Sequence, residues 1–490
     1  MRYKQGESRD KLSLGLLEDL VAKDHYIRLL DEFIEGVVSS SESSYSQKGL
    51  STTGQRPYGA RTMLKLYLYG YLNRVTSSRR LEAEASRNIE LIWLLENLQP
   101  DFKTIADYRR DNGEAIRSLL KAFNQFLVSH KYIDGKQVSV DSVRLKANTN
   151  RNAQSLKKIE GRLKHIDKQM TQYLNALNLN DEGELKLEQL CELDRTKKQA
   201  MAKIAELNKE IEGLQKKKKT LNEDTRRTRI SFTDEEAVLS RSRDGVLPQY
   251  NTQMVVDDKH KLIMYSEATC DGNDRQQLKA MVEAIESEYD QRPQVARADA
   301  DYFNIVDIKE LEEQGTECYC NVPQNAKGAQ GKDEQGLPIE FTYDEQQDEY
   351  TCSKGGRLIR KGYDPKKGGR GATLYQGVDC TKCPAKAFCT SSKKGRMLYR
   401  FDDEQWKQNY IRRMGSSIGQ QQSRKRRTHA EHPFGTIKMV FMDRQQLKMR
   451  GRYNVQTEIC LYHFAYNFKR LQNISSFEYL KQQIRDWSLK

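Results

Sequence analysis

Hydrophobic residues follow a helical period through the first quarter of the chain. Apolar side chains recur at helical spacing between Leu16 and Phe33, which is the pattern of one buried helix face. The stretch RTMLKLYLYGYLNRV is apolar almost all round and predicts a buried helix. Two more stretches with helical spacing follow, and Thr104 is the predicted N-cap of the second. Residues 1–132 are therefore predicted to form an all-α domain.

The period changes to two in the stretch VSVDSVRLKAN. Val138 and Val140 fall on one face, while Ser139 and Asp141 fall on the other, as in a β-strand. Later stretches with strand and helix patterns alternate, which predicts a mixed α/β sheet. The segments assigned to this core are 133–151, 230–325 and 400–475, and a tail at 476–490 completes the chain.

Residues 152–229 interrupt the predicted core with a heptad pattern. Apolar residues step by three and four for about three heptads, and a second run returns after the break LNLNDEGE. Such a seam is typical of a coiled coil, here an antiparallel hairpin; a single solvated helix is the alternative. The seam positions are Leu156, Ile159, Leu163, Ile166, Met170, Tyr173, Leu177, Ile204, Leu207, Ile211, Leu214 and Leu221.

Charge and composition narrow the class of partner. The chain has 490 residues, a formal net charge of +14 and 25 tyrosines, which favours a polyanion partner, nucleic acid before an acidic membrane surface. The first residues lack the apolar core of a signal peptide, and no apolar run is long enough to span a membrane. An intracellular protein with reduced cysteines is therefore expected.

Four cysteines cluster in the Gly- and Lys-rich segment 326–399, which is predicted to have little core of its own. Three lie in DCTKCPAKAFC and one precedes them. Four thiolates are the ligand set of a closed, structural zinc site; free surface thiols are the alternative. The other five cysteines are expected to be small buried hydrophobic residues. The proposed zinc ligands are Cys352, Cys380, Cys383 and Cys389.

Three acidic residues are candidates for a functional role because of their positions in the predicted elements. Asp141 lies within a strand, Asp299 ends another in ARADADYFN, and Glu431 lies in RTHAEHPFGTIK. Carboxylates that hold two Mg²⁺ ions are what metal-assisted phosphoryl transfer requires. Taken singly, each has a structural alternative: a strand-edge charge, a turn former and a first-turn helix acid. Lys438 lies two helical turns after Glu431 and shares its face.

Together these stretches resemble a DDE transposase of a bacterial insertion sequence, of the branch with an InsH-like N-terminal domain and a Cys-rich insert. The matching words include RPYGARTMLKLYLYGYL, VSVDSVRLKAN, ARADADYF and HAEHPFGTIK. The signature Tyr-x2-Arg-x3-Glu-x6-Lys falls on Arg427, Glu431 and Lys438, but Arg424 stands at its tyrosine position. Asp301 stands where the family has glycine, so we expect it to occupy a left-handed turn position beside Asp299.

The resemblance implies a multidomain α+β and α/β fold: an all-α N-terminal DNA-binding domain and an RNase H-like core, interrupted by the coiled-coil hairpin and the zinc insert. Asp141, Asp299 and Glu431 would be the catalytic acids and would hold two Mg²⁺ ions, with Mn²⁺ as an alternative. Arg424, Arg427 and Lys438 would contact DNA. Weaker candidates for phosphate contacts are Arg79, Arg80, Arg109 and Arg110.

The implied activity is cleavage of the element's ends and transfer of the 3′-hydroxyl to target DNA. The partners are double-stranded DNA, meaning terminal inverted repeats and target, and a second copy of the chain in a homodimeric synapse; no membrane is involved. The implied location is the bacterial cytoplasm, with nucleoid association when DNA is bound. The alternatives are a catalytically inactive, transposase-derived DNA-binding protein and a coiled-coil scaffold, although the spaced acids do not fit the scaffold.

Overall fold

The structure is a computed structural model that describes residues 16–40, 57–149, 153–181, 187–223, 229–231, 233–242, 245–323, 331–442 and 445–488. Its helices are α1 Tyr26–Ser40, α2 Ala60–Leu72, α3 Ser78–Arg87, α4 Ile89–Leu94, α5 Phe102–Asp111, α6 Gly113–Ser129, α7 Leu156–Asp181, α8 Leu187–Glu223, α9 Gln277–Tyr289, α10 Ile305–Glu313, α11 Lys386–Cys389, α12 Glu404–Gly415, α13 Ser417–Thr436, α14 Arg452–Ile474 and α15 Phe477–Ser488.

Its strands are β1 Gln137–Lys146, β2 Ala153–Ser155, β3 Arg229–Ser231, β4 Val238–Ser242, β5 Gly245–Asp257, β6 Ile263–Thr269, β7 Val295–Ala298, β8 Glu317–Cys320, β9 Gly331–Lys332, β10 Pro338–Ile339, β11 Phe341–Asp344, β12 Glu349–Cys352, β13 Arg357–Asp364, β14 Ala372–Gly377 and β15 Met397–Phe401.

The N-terminal region is helical, as its periodicity predicts. Helix α2 is buried along nearly its whole length, which explains why its sequence is apolar all round. Asp101, and not Thr104, is the N-cap of α5, because its side chain accepts the N–H groups of Lys103 and Thr104. Thr104 lies inside the first turn and donates its hydroxyl to the same carboxylate at 2.5 Å.

The central sheet is mixed and has the order β4–β5–β1–β7–β8, and β6 also pairs with β5. The pairs β1–β5, β4–β5 and β5–β6 are antiparallel, whereas β1–β7 and β7–β8 are parallel. Helices α9 and α10 provide the crossovers that parallel strands require. This arrangement places the middle of β1 beside the carboxyl end of β7.

The helical region and the sheet share one hydrophobic core. Helix α14 packs on α2, α6 and β6, and the ring centroids of Phe123 and Phe464 lie 4.4 Å apart. The predicted tail contains α15, which packs on α1 and stacks Trp487 on Phe33 at 5.9 Å. Helix α15 is thus part of the core, and apolar packing continues across the predicted boundary at residue 132.

Helices α7 and α8 pack against each other outside the sheet. Ile159, Ile166, Leu207 and Leu214 form a small separate core with Ile230. Arg162 and Glu210 form an ion pair across the two helices, with Nε 2.8 Å from Oε1. A coiled coil along the full predicted seam stays a prediction, because the side chains of Tyr173, Leu177 and Leu221 lie outside the described residues.

The Cys-rich segment contains a five-stranded antiparallel sheet in the order β11–β12–β13–β14–β15. Tyr375 and Leu358 are buried in it, and the rings of Tyr343 and Tyr350 lie within 5.9 Å of Tyr375. The prediction of little core was therefore wrong, because tyrosines build this core and a count of aliphatic residues misses it.

Candidate active site

The three predicted acids come from three different elements. Asp141 lies in the middle of β1, Asp299 directly follows β7, and Glu431 lies on α13. Strands β1 and β7 are parallel neighbours, and α13 packs against both. Residues that are far apart in the sequence are therefore brought to one region at the edge of the parallel strands.

The carboxyl group of Asp141 has a clearly raised pKa. Burial raises its pKa to about 6, and the nearby carboxylates of Asp299 and Glu431 raise it as well, while Arg426 lowers it. Two hydrogen bonds hold the group: Ser142 donates its N–H to Oδ1 at 2.9 Å, and Arg426 donates from Nη1 to Oδ2 at 3.0 Å. The carboxylates of Asp299 and Glu431 are thus near enough to Asp141 to affect its pKa.

Asp299 is held by a short local turn. It caps the 3-10 turn Ala300–Tyr302, and its Oδ1 accepts the N–H of Asp301 at 2.9 Å. The Cys320 thiol donates to the carbonyl oxygen of Asp299 at 2.8 Å. Burial raises the pKa of Asp299, and the Asp301 N–H and Arg426 lower it.

Asp301 does not adopt the left-handed conformation that the sequence predicted. It lies inside the 3-10 turn and is absent from the positive-φ residues of the described chain. The reason is that residues 300–302 form one right-handed 3-10 turn with negative φ angles, so glycine's freedom is not required there. Asp301 contributes its backbone N–H, and its exposed side chain points away from the interior.

Helix α13 presents two different faces. Arg424, Arg427 and Glu431 are exposed along one line, while Arg426 is 8% exposed and faces the sheet. Lys438 follows in a π-helical turn, Ile437–Phe441, and is partly buried. Because α13 begins at Ser417, Arg427 and Glu431 lie one helical turn apart in one continuous helix.

Sequence reasoning missed Arg426 and Asp274. Asp274 is 4% exposed; its Oδ2 accepts the Ser142 hydroxyl at 3.0 Å, and its Oδ1 accepts Asn251 and Gln253 at 2.6 Å each. It also raises the pKa of Asp299. Arg426 occupies an unspecified position inside the family signature, directly before Arg427, so the signature gives no signal for it, and Asp274 reads as a helix N-cap residue.

The four weaker DNA candidates divide by burial. Arg79 and Arg80 on α3 are exposed, with the Arg79 guanidinium 5.2 Å from the centre of the Phe102 ring. Arg110 is exposed and pairs with Asp107 and Asp111.

The buried position of Arg109 does not fit its predicted role as a phosphate contact. The side chain is 8% exposed and donates from Nη1 to the Tyr71 hydroxyl at 3.1 Å and to the Thr76 carbonyl at 3.3 Å. Burial raises the pKa of Glu458 on α14, and the charge of Arg109 partly offsets this by lowering it. The guanidinium is therefore committed to the interior, in place of the predicted phosphate contact.

The four cysteines of the insert lie near one another. Burial raises the pKa of Cys389, and Cys380, Cys352 and Cys383 raise it further, while Arg396 lowers it. The Gly356 N–H donates to the Cys352 sulfur at 3.2 Å. A side chain at Gly331 or Gly377 would run into the sulfur of Cys389 or Cys380.

Of the other five cysteines, Cys318, Cys320 and Cys460 are buried and Cys270 is partly buried. These four therefore lie in or beside the core, whereas the side chain of Cys191 lies outside the described residues.

In the part of the chain that the structure describes, no group of three or more His, Cys, Asp or Glu side chains is arranged closely enough to hold a metal ion. This applies both to the acids and to the four thiols. Among the same residues, no helix has the length and apolar character needed to cross a membrane.

Two stretches of the chain match known protein families. Residues 16–111 match the family described as "Transposase domain (DUF772)", and residues 351–472 match "Transposase DDE domain". No curated protein matches. A solved structure, "Cryo-EM structure of piggyBac transposase synaptic complex with hairpin DNA (SNHP)", overlaps 94% of this chain and 78% of its own at 9% identity, with a TM-score of 0.31. That score is too low to support an inference.

Proposed function

The chain is a DDE transposase of the insertion-sequence type, and from this premise we propose that it cleaves the DNA ends of its element and joins the freed 3′-hydroxyl to target DNA. Asp141, Asp299 and Glu431 are the proposed acid triad of an RNase H-like core. One observation carries the assignment: Asp299 and Glu431, on other elements, both raise the pKa of Asp141.

The donor chemistry of the triad fits Mg²⁺ or Mn²⁺. Carboxylate oxygens are the ligands that hard divalent cations prefer, and gathering three of them without a cation is electrostatically unfavourable. Arg426 supplies one compensating positive charge at Asp141. Two bound ions would activate the attacking hydroxyl and stabilise the leaving oxygen. With a pKa of about 6, Asp141 is mostly ionised at neutral pH and is then able to act as a ligand.

The exposed face of α13 is the proposed contact with the DNA backbone at the site of cleavage. Arg424 and Arg427 are exposed beside Glu431, and Lys438 lies further along the chain. Guanidinium and ammonium groups next to the acids would fix the position of the phosphates. Arg79, Arg80 and Arg110 are the remaining candidates for gripping the terminal repeats. A synapse of two element ends calls for a homodimer, to which the α7–α8 hairpin is a proposed contributor.

The four insert cysteines are a proposed structural zinc site. The glycines that leave room for the sulfurs and the N–H group donated to Cys352 support this ligand set. Zinc content of the purified protein tests it: Cys383→Ser is expected to lose the metal, while the buried Cys318→Ser keeps it. Equal zinc content in wild type and Cys383→Ser would rule the site out.

Strand cleavage and joining in Mg²⁺, on DNA that carries the native element ends, tests the proposed function. Wild type is expected to be active, and Asp141→Asn is expected to be inactive while still binding the same DNA, because asparagine keeps the size of the side chain but not its charge. If wild type and Asp141→Asn are equally inert and both bind DNA, the protein is instead a transposase-derived DNA-binding module.

A further inference from the structure

A second polar layer is formed by residues from the same elements that carry the three acids. Strands β1 and β7 pair in parallel with Ser139 opposite Arg297, and these two residues come two positions before Asp141 and Asp299. His429 likewise comes two positions before Glu431 on α13. Each acid-bearing element thus contributes one residue to this layer, and on α13 the two-residue offset turns His429 away from the exposed face of Glu431.

All three residues of this layer converge on Asp258, the residue that follows β5. Arg297 donates from Nη1 to Oδ2 at 2.7 Å, and His429 Nδ1 lies 2.9 Å from Oδ1. The Ser139 hydroxyl donates to Oδ1 at 3.5 Å. Asp258 is anchored in turn, since its own N–H donates to the Gln137 carbonyl at 3.1 Å.

Arg297 is completely buried, and each of its three nitrogens has a partner. Besides Asp258, Nε donates to Gln422 Oε1 and Nη2 donates to Gln137 Oε1, both at 2.6 Å. Burying a guanidinium is costly unless it is paired and fully hydrogen-bonded, and such a pair is often no more stabilising than an apolar replacement. We therefore attribute to the buried Arg297 pair a role in fixing the relative position of the strands and α13, rather than a role in stability.

The layer ties α13 to the sheet at two points. Gln422 and His429 are seven residues apart, two helical turns, so both lie on the face that meets the strands. Arg297 bonds both Gln422 and Asp258, and Asp258 in turn bonds His429. Rotation or sliding of α13, which would move Glu431 away from Asp141 and Asp299, breaks these bonds.

We propose that Asp258, Arg297 and His429 are positioning residues that set the location of Glu431 relative to Asp141 and Asp299, and thereby the affinity of the acid triad for divalent cations. The proposal rests on the proposed function, because that function makes the three acids a metal site. Hydrogen bonds that orient metal ligands typically change metal affinity roughly 10- to 100-fold when they are removed.

The test is the Mn²⁺ dissociation constant of the DNA-free protein, measured from the free Mn²⁺ signal by electron paramagnetic resonance. His429→Leu is expected to raise it roughly 10- to 100-fold, and His429→Gln, which again offers an N–H to Asp258, is expected to restore most of the affinity. His432→Leu is the matched control, because His432 is on the same helix but bonds Tyr466 and not Asp258. Thermal unfolding of each variant establishes that it is folded.

Amide hydrogen exchange of residues 424–434 in metal-free protein gives a second, independent readout. Exchange is expected to be faster in His429→Leu than in His432→Leu at equal thermal stability. If His429→Leu lowers stability but leaves both the Mn²⁺ affinity and the exchange at the control level, the layer is only structural and the proposal is overturned.

The variant Asp141→Asn separates this failure from a failure of the proposed function. If Asp141→Asn binds Mn²⁺ like wild type, the triad is not the metal site. The assignment of the acids then fails, and so does the proposed link from the layer to metal affinity. If Asp141→Asn loses Mn²⁺ and His429→Leu does not, only the positioning proposal fails.

Discussion

Replacing Arg109 with leucine would separate a role in stability from a role in DNA binding. The wild-type guanidinium bonds Tyr71 and Thr76, and its charge partly offsets the burial of Glu458. Glu458 accepts the N–H groups of Lys448 and Met449 at 2.8 and 2.9 Å, which cannot by themselves neutralise its charge. Removing the guanidinium leaves the buried oxygens of Tyr71 and Thr76 without their donor, which costs about 1–3 kcal/mol for each, a large part of the stability of a typical domain.

The exposed neighbour Arg110 provides the matched control. Its pairs with Asp107 and Asp111 lie at the surface, where such pairs contribute about 0–1 kcal/mol. Arg110→Leu is therefore expected to unfold at nearly the wild-type temperature, whereas Arg109→Leu unfolds at a clearly lower one.

The salt dependence of DNA binding gives the complementary measurement. Loss of one phosphate contact reduces the slope of log K against log salt by about 1. We expect that reduction for Arg110→Leu and no change for Arg109→Leu, measured where both variants are folded. The reasoning is refuted if Arg109→Leu unfolds like wild type and loses a unit of slope, because Arg109 would then contact DNA.

Three further predictions concern the core and the acids. Burial lowers the pKa of His463 to about 4, so its neutral form stabilises the fold above pH 6.5. That contribution, about 3 kcal/mol at most, is lost as the pH falls from 6.5 towards 4. The free energy of unfolding, measured with urea, should therefore fall more steeply over this range in wild type than in His463→Gln. Parallel pH curves for the two proteins would contradict this. Arg426→Gln removes the cation that lowers the pKa of Asp141, so the acid limb of DNA cleavage should move to higher pH; an unmoved limb would exclude this pairing. Asp301→Gly keeps the backbone N–H that Asp299 accepts, so it should retain cleavage that Asp299→Asn abolishes, and equal loss in both would show that the Asp301 carboxylate is needed.

Local periodicity predicted those features that depend on a few neighbouring residues. The alternation in β1 buries Val138 and Val140, and the heptad spacing buries Ile159 and Ile166. These agreements arise because the side-chain direction repeats every 2 or 3.6 residues, whatever the element packs against. The acids were located by family resemblance, since their spacing alone left a structural alternative for each.

The same periodicity gave no account of partners. It gave no sign that Arg109, predicted to contact phosphate, is buried, and it predicted a tail where α15 closes the core. It also gave no signal for Arg297, because a strand arginine reads as exposed until the helix that covers it is known. In each case the neighbour that decides the environment is supplied by another element.

The sequence by itself determined the elements, their apolar faces and the supply of acidic, basic and thiol groups. Tertiary structure alone decided which of these groups meet: Arg426 and Asp141 are 285 residues apart, and Arg297 and Gln422 are 125 apart. Such contacts depend on strand register and on the position at which α13 packs against the sheet. Both are set by the packing of the whole core, because the period of a helix or strand specifies a direction but not the group that lies in that direction.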